Sequence, residues 1–503
     1  MVRPCCLQYF VVQLNRSSTI FSEFLGKCRC NLLGWLTEGW VAMGSSLPLA
    51  LVLPLRQVFP IDTLLLLSLR SDSCRVYKNL AESKFCGYYV QLTPSFMLMD
   101  PELVKTILIK DFDHFVDRRH IRLTSKRDGV FTEMLTIING DHWKGIRSVV
   151  SPTFSSGRMK GIFPLVALKA DALVDYIHRQ IKSHSALPLQ KTFALFALEV
   201  ISSCAFGMET NTFECGGETT FNVMVEKLFT ASFFRKIKLF LYLLSPRIAS
   251  FFKISLAAPE IVFFEKVIIE TMKQREKGGK RGDFLDLMME AREDQKDPNL
   301  KAPKYRKMDL VSSTLLEHQF PSTALKDDTI VANSILFIIA GYETTATTLS
   351  FVAFLLAQHP EQQQRLRQEL ENIVKEYGTL TYQGIMEAKF LDAFIHQVIH
   401  HFVGFRRLTG DPFSLPGTDL IIPEKTIVSI PSWSLHKDPQ YWSDPEVFRP
   451  DRFLPENKDK VKSGTYLPFG LGPRNCIVVM GTVWRVVMGT VLASGDGNCF
   501  GEW

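Results

Sequence analysis

The chain has 503 residues, 46% of them hydrophobic and 22% charged. That is an ordinary globular composition, which excludes a disordered, collagen-like or coiled-coil chain; the length suggests about three domains or one large one with a deep core. The net charge of +6 comes without a Lys/Arg stripe, so it suits an acidic protein partner or an anionic membrane surface and not a nucleic acid.

Residues 1–75 form an atypical N-terminal segment. Ser46–Leu55 is apolar but stops at Arg56, and Leu64–Leu67 follows only after Pro60 and Asp62. A membrane-crossing helix needs about 20 apolar residues, so these broken runs make a poor anchor, and they fit a secretory signal no better. From residue 76 the pattern becomes coherent. Tyr88–Met99 is strongly β-prone and predicts a strand pair. Asp100-Pro101-Glu102 opens a helix, with Asp100 as cap and Pro101 in the first turn. Helical periodicity marks Asp141–Val150, Lys169–Lys182 and Ala194–Phe206.

Residues 220–275 mix Phe, Leu and Ile with scattered cations and predict two amphipathic helices around Ser245-Pro246. Their apolar faces could meet lipid, a pocket or simply the core. The same choice applies to the whole phenylalanine surplus, 38 Phe against 12 Tyr and 7 Trp. Residues 273–309 are charge-rich, with Gly278-Gly279, Pro298 and Pro303, and predict a surface segment. A long apolar helix is expected over Asp327–Gln358 and a charged amphipathic one over Pro360–Tyr377. After residue 403 short strands and Pro/Gly-rich loops take over. The fold class is mainly α with a minor β part.

The strongest chemical signal is Pro468-Phe469-Gly470-Leu471-Gly472-Pro473-Arg474-Asn475-Cys476, which fits F-x-x-G-x-R-x-C. Such a match arises by chance in on the order of one chain per thousand. Glycine and proline keep the segment out of helix and strand, and a rigid turn can aim backbone N–H groups at a thiolate sulfur. The other nine cysteines follow no spacing and form no C-x-x-C pair, so they read as reduced thiols and exclude a zinc ribbon. A second signal lies inside the long apolar helix, at Ala340-Gly341-Tyr342-Glu343-Thr344-Thr345. Gly341 weakens the helix by about 1 kcal/mol relative to Ala, threonines weaken it further, and Glu343 is costly to bury. A helix that breaks several rules at one place is a functional candidate. The plain alternative is a glycine for helix packing and threonines bonded back to carbonyls.

The cysteine loop resembles the haem-binding signature of the cytochrome P450 superfamily, and other segments agree. Trp143-Lys144-Gly145-Ile146-Arg147 resembles the family's W-x-x-x-R; Ala340–Thr345 resembles A-G-x-[ED]-T-T; Phe448-Arg449-Pro450-Asp451-Arg452-Phe453 resembles the segment containing P-E-R-F. Residues 97–155 and 335–352 are most similar to microsomal xenobiotic- and steroid-oxidising members, including those of arthropods. The resemblance spans residues 76–477 and implies one large domain, with haem b buried between two long helices and its iron on Cys476. Arg474, Trp143, Arg147 and Arg407 would hold the propionates, although Arg406 competes for the last assignment, and Phe469 would line the cofactor. Gly341 would leave room for the porphyrin or oxygen, Thr344 would hydrogen-bond the distal oxygen or a water, and Glu343 would relay protons. The implied reaction inserts one atom of O2 into an apolar small molecule such as a xenobiotic, steroid or fatty acid. Its electrons would come from NADPH through a reductase, at the cytosolic face of the endoplasmic reticulum membrane.

Three departures stand against the resemblance. The family's helical E-x-x-R reads Gln397-Val398-Ile399-His400 here, so Arg452 is expected to lose its carboxylate partner; breaking a buried charge network costs about 3–5 kcal/mol. An atypical tail, residues 478–503, replaces the expected helix with β-branched repeats at Val478–Val483 and Val486–Val491. The N-terminal segment lacks the proline-rich stretch that follows an anchor. An inactive, incomplete family member with impaired haem binding is therefore the main alternative. The spacing of His396 and His400 also matches the helical H-x-x-x-H of zinc hydrolases, but Gln397 stands where that motif needs a general-base Glu.

Overall fold

The computed structural model describes residues 74–80, 83–90, 93–118, 128–183, 187–230, 257–294, 325–400, 405–408 and 413–477, together with short pieces between 231 and 256 and the single positions Val487 and Gly489. The chain divides into two compact units. Arg70–Tyr176 and Leu189–Trp503 make up the one that carries the site. The broken apolar runs of the N-terminal segment, Ser245-Pro246 and most of the C-terminal tail lie outside the described residues.

The strand pair expected near residue 88 is β1 (Phe85–Val90) and β2 (Thr93–Leu98), antiparallel with Phe85 opposite Leu98. Phe85 stacks on Phe96 at 5.1 Å. Asp100 then caps the short helix Pro101–Lys105, its Oδ1 accepting from the N–H groups of Glu102 (2.8 Å) and Leu103 (3.0 Å); two otherwise orphaned donors are satisfied. Longer helices among the described residues come next: α1 (Gly140–Val150), α2 (Ser156–Ser183), α3 (Leu189–Phe206) and α4 (Thr220–Phe229). Helix α2 begins well before the predicted Lys169, with Pro164 inside it. Helix α5 (Ile261–Lys277) is the second of the two helices expected in the Phe-rich stretch.

One expectation needs correction. Phe284–Asp294, read as part of a charged surface segment, is a helix, α6, with Phe284, Leu285, Met288 and Met289 buried. Its charges misled because two of them point inward. Asp286 receives Arg275 at 3.1 Å, and Arg292 reaches Glu276 at 2.8 Å and Asp327 at 2.6 Å.

Helices α7 (Asp327–Gln358) and α8 (Pro360–Tyr377) have the bounds read from the sequence. Pro360 opens α8, and Gly378, left-handed at φ 74°, ends it. Helix α9 (Lys389–Ile399) follows. The remaining strands are β3 (Phe405–Leu408), β4 (Phe413–Ser414), β5 (Ile421–Ile422) and β6 (Ile427–Ile430). They give a four-stranded sheet in the order β1-β2-β6-β3 and a two-stranded one, β4-β5. The fold is mainly helical with a minor β part, as expected.

Helix α3 lies along α7 at the centre. A Cβ on Gly341 would stand 3.1 Å from Cγ1 and Cδ1 of Ile201, so the glycine lets the two helices close on each other. Both helices are long and apolar enough to cross a membrane, yet the window of α3 is 67% buried within the protein. The phenylalanine surplus divides. Phe115, Phe196, Phe206, Phe264 and Phe394 are fully buried, whereas Phe234, Phe251 and Phe252 are 74%, 81% and 67% exposed. Of the tail, Val487 and Gly489 are helical. Val487 is buried, and a Cβ on Gly489 would meet Leu391 at 3.0 Å. At these two positions burial in a helix overrides the β-branched pattern.

Candidate active site

The loop before Cys476 is shaped by two left-handed glycines, Gly470 at φ 85° and Gly472 at φ 75°. A side chain at 472 is impossible: its Cβ would lie 1.8 Å from the carbonyl oxygen of Leu108. The loop folds back on itself, with the Cys476 N–H donating to the Phe469 carbonyl at 2.9 Å and the Asn475 N–H to that of Gly472 at 3.0 Å. The Cys476 side chain ends up exposed, while Phe469 is half-buried.

Three guanidiniums gather around it. Arg474 is 2% exposed. Its Nε donates to the Val116 carbonyl at 2.8 Å; its Nη2 donates to the Ile138 carbonyl at 2.7 Å and to Asn139 Oδ1 at 3.0 Å. The guanidinium lies 4.3 Å from the centroid of the Trp143 ring, a cation–π contact. Arg147, one turn further along α1, donates to Asn475 Oδ1 at 2.9 Å. Arg118 donates to the Arg474 carbonyl at 3.2 Å. Trp143, Arg147 and Arg474 were expected here; Arg118 was not. Arg118 belongs to no periodic run, and its meaning comes from a contact across 356 residues.

The cluster is electrostatically unfinished. Burial pulls Arg474 down to about 9, with repulsion from Arg118 and Arg147 adding to it. Burial pulls Arg147 down to about 10 and also lowers Arg118, in both cases against the opposing pull of Cys476. Arg474 Nη1 is buried without a hydrogen-bond partner among the described residues. A pair of carboxylates beside a thiolate-bound metal is the kind of ligand such a set accepts.

Helix α7 presents an open stripe. Ala340 and Thr344 are exposed in the middle of a helix otherwise mostly buried. Thr344 Oγ1 donates back to the Ala340 carbonyl at 2.5 Å, and Glu343 accepts from Thr347 Oγ1 at 3.3 Å. Arg407 sits on β3 opposite Val428; its side chain lies outside the described residues.

Behind the loop, the expected loss of a charge network is visible. Gln397 and His400 are both fully buried. Neither amide atom of Gln397 has a hydrogen-bond partner among the described residues, nor does Arg452 Nε. Arg452 instead donates to the backbone carbonyls of Ser443, Asp444 and Val447. The zinc reading finds no support. His396 Nδ1 bonds Tyr466 Oη at 2.8 Å and its Nε2 faces Asp392 at 3.5 Å. Among the described residues no three His, Cys, Asp or Glu side chains come together to hold a metal.

Fold and loop together define a haem-thiolate protein. Residues 63–477 match the family model described as Cytochrome P450. The chain is 35% identical over 408 residues to Cytochrome P450 6k1 of Blattella germanica, covering 80% of this chain and 76% of the relative. It is 33% identical over 403 residues to Cytochrome P450 3A2 of Rattus norvegicus, covering 78% and 74%. The chain belongs to the cytochrome P450 family and is, by that membership, a monooxygenase. The insect and mammalian relatives agree with the leaning read from residues 97–155 and 335–352.

Proposed function

We propose that this chain is a haem-thiolate monooxygenase that binds haem b through Cys476 and oxidises an apolar small molecule, a xenobiotic or steroid. The observation that carries the reading is the convergence of Arg118, Arg147 and Arg474 on the mouth of the cysteine loop, with one buried guanidinium nitrogen left for a ligand. When bound, the haem supplies the iron at which O2 is split, one atom going to the substrate and the other to water with two electrons and two protons.

The protein's own residues do the rest. The Phe469 carbonyl and the tight glycine turns hold Cys476 so that its sulfur projects from the loop. Arg118, Arg147 and Arg474 bind carboxylates, and Trp143 fixes the plane of Arg474. Thr344 Oγ1 sits on the open face of α7 and can turn from Ala340 to donate a proton there. Glu343, at the preceding position of the same helix, accepts from Thr347 and is the nearby acid that can resupply protons. Electrons would come from NADPH through a reductase docked on the mildly basic surface, and the exposed Phe251 and Phe252 suit attachment to the endoplasmic reticulum membrane.

A second reading rests on Gln397 and Arg452: the lost carboxylate leaves buried polar atoms unpaired and weakens haem retention. One experiment addresses both. The chain is expressed with haem precursor, and the reduced, carbon-monoxide-bound spectrum is recorded. A thiolate-type Soret band that disappears in Cys476→Ala supports the first reading. Absence of haem in the folded protein refutes it and leaves the second.

A further inference from the structure

The buried imidazole of His436 has two hydrogen bonds that determine its state. The Leu467 N–H donates to His436 Nε2 at 2.8 Å, so that nitrogen carries no proton. Nδ1 must then be the protonated nitrogen, and it donates to the His400 carbonyl at 2.9 Å. His436 is therefore a neutral ring that ties the end of α9 to the chain just before the cysteine loop. The ring also lies face to face on His400, 5.1 Å between centroids and 7° between planes. Next to it, Tyr466 Oη donates to the His396 carbonyl at 3.0 Å and meets His396 Nδ1 at 2.8 Å. Two successive residues, Tyr466 and Leu467, are thus pinned to α9 through side chains. Two residues after Leu467 comes Phe469, whose carbonyl receives the Cys476 N–H.

We propose that His436 is a positioning residue for Cys476. In this chain the stack of His436 on His400, with Tyr466 beside it, performs the loop-anchoring for which no Glu–Arg pair is present at 397 and 400. The geometry gives it leverage. Pro468 leaves little freedom between the pinned Leu467 and Phe469, so a displacement at Leu467 is passed to the carbonyl that orients Cys476. The spectroscopic half of this inference rests on the haem-thiolate reading; the amide-protection half does not.

The test compares His436→Phe, which keeps the ring and its stack but removes the acceptor, with His436→Gln, whose amide oxygen can take the place of Nε2. Hydrogen exchange at the Leu467 amide is measured in the full chain, with the amides of α7 as an internal control for folding. The expected result is exchange at Leu467 at least about tenfold faster in His436→Phe, with α7 protection intact, and near-original protection in His436→Gln; tenfold corresponds to about 1.4 kcal/mol. In the haem-loaded protein, His436→Phe should convert part of the thiolate-type Soret band to the band of a protonated or displaced thiol, and His436→Gln should keep it. Unchanged protection and spectrum in His436→Phe would overturn the proposal, and so would a Gln variant as impaired as the Phe one. If the Phe variant does not fold, the Gln variant decides alone, by keeping or losing both signals. A wild-type chain without haem refutes the proposed function while the exchange comparison still decides the role of His436.

Discussion

Gln397 offers a direct measure of what the missing charge network costs. It is fully buried, and neither its Oε1 nor its Nε2 has a hydrogen-bond partner among the described residues. A buried polar group left unpaired costs about 1–3 kcal/mol, so the two atoms together carry a penalty of about 2–6 kcal/mol that folding must absorb. Gln397→Met keeps the length of the side chain and removes both atoms. Imperfect packing of the thioether returns up to about 1.5 kcal/mol of the gain. A net stabilisation of about 0.5–4.5 kcal/mol is expected, read from chemical denaturation of the haem-free protein. A destabilisation greater than about 1 kcal/mol would refute the reasoning, because it would mean that the amide is satisfied in solution. Gln397→Glu is a harder case. Burying a carboxylate costs several kcal/mol, and only the free Nε of Arg452, on the turn that packs against α9, can offset it. If the carboxylate reaches that N–H, the rate of haem transfer to an acceptor apoprotein should fall; if the rate rises, the two groups do not meet.

Four further outcomes follow from the site. Arg474→Lys loses the planar fork that serves Val116, Ile138 and Asn139 and the contact with Trp143, and should cost about 2–4 kcal/mol in denaturation. Iron-free protoporphyrin, which needs no thiolate, should bind well at neutral pH and lose affinity as pH rises through about 9. Arg474, held down to about 9 by burial, gives up there the charge that the porphyrin carboxylates need; in the porphyrin-free protein the same deprotonation removes a buried charge and so adds stability. A porphyrin diester should show no such dependence. Gly472→Ala must cost more than the roughly 1–2 kcal/mol of a left-handed non-glycine residue, because its Cβ overlaps the Leu108 carbonyl; haem uptake should collapse while helical circular dichroism persists. His400→Arg, the change that would recreate half of the family's network, should lower haem retention by breaking the stack on His436.

What could be read in the sequence was whatever local chemistry dictates. Helices α7 and α8 kept their predicted bounds because a continuous apolar run, a proline at the start and a glycine at the end act within a few residues. Cys476, Arg474, Trp143 and Arg147 could be singled out because their spacing within one loop or one helix face is itself the signal. Arg118 and His436 were not assigned these roles, since each acquires its meaning from a partner far along the chain. Helix α6 was misread for a related reason: its charges suggest solvent, and only the partners on α5 and α7 turn them inward.

The same distinction explains how a chain without the family's Glu–Arg pair can still present a formed cysteine loop. A charged lock is strong but demanding, because each buried ion needs its partner and loses several kcal/mol without it. The lock around His436 uses stacked rings, the backbone carbonyls of His400 and His396 and the Leu467 N–H. None of these groups has to be stripped of an ionic hydration shell, and ring stacking contributes on its own. Where the family has its charge network, Gln397 and Arg452 Nε have no hydrogen-bond partner among the described residues. Loss of the Glu–Arg pair should therefore appear as reduced stability of the fold behind the loop, with the orientation of Cys476 preserved as long as His436 is. A Gln397 variant and a His436 variant should separate these effects: the first changes denaturation midpoints with little change in the thiolate spectrum, and the second does the reverse.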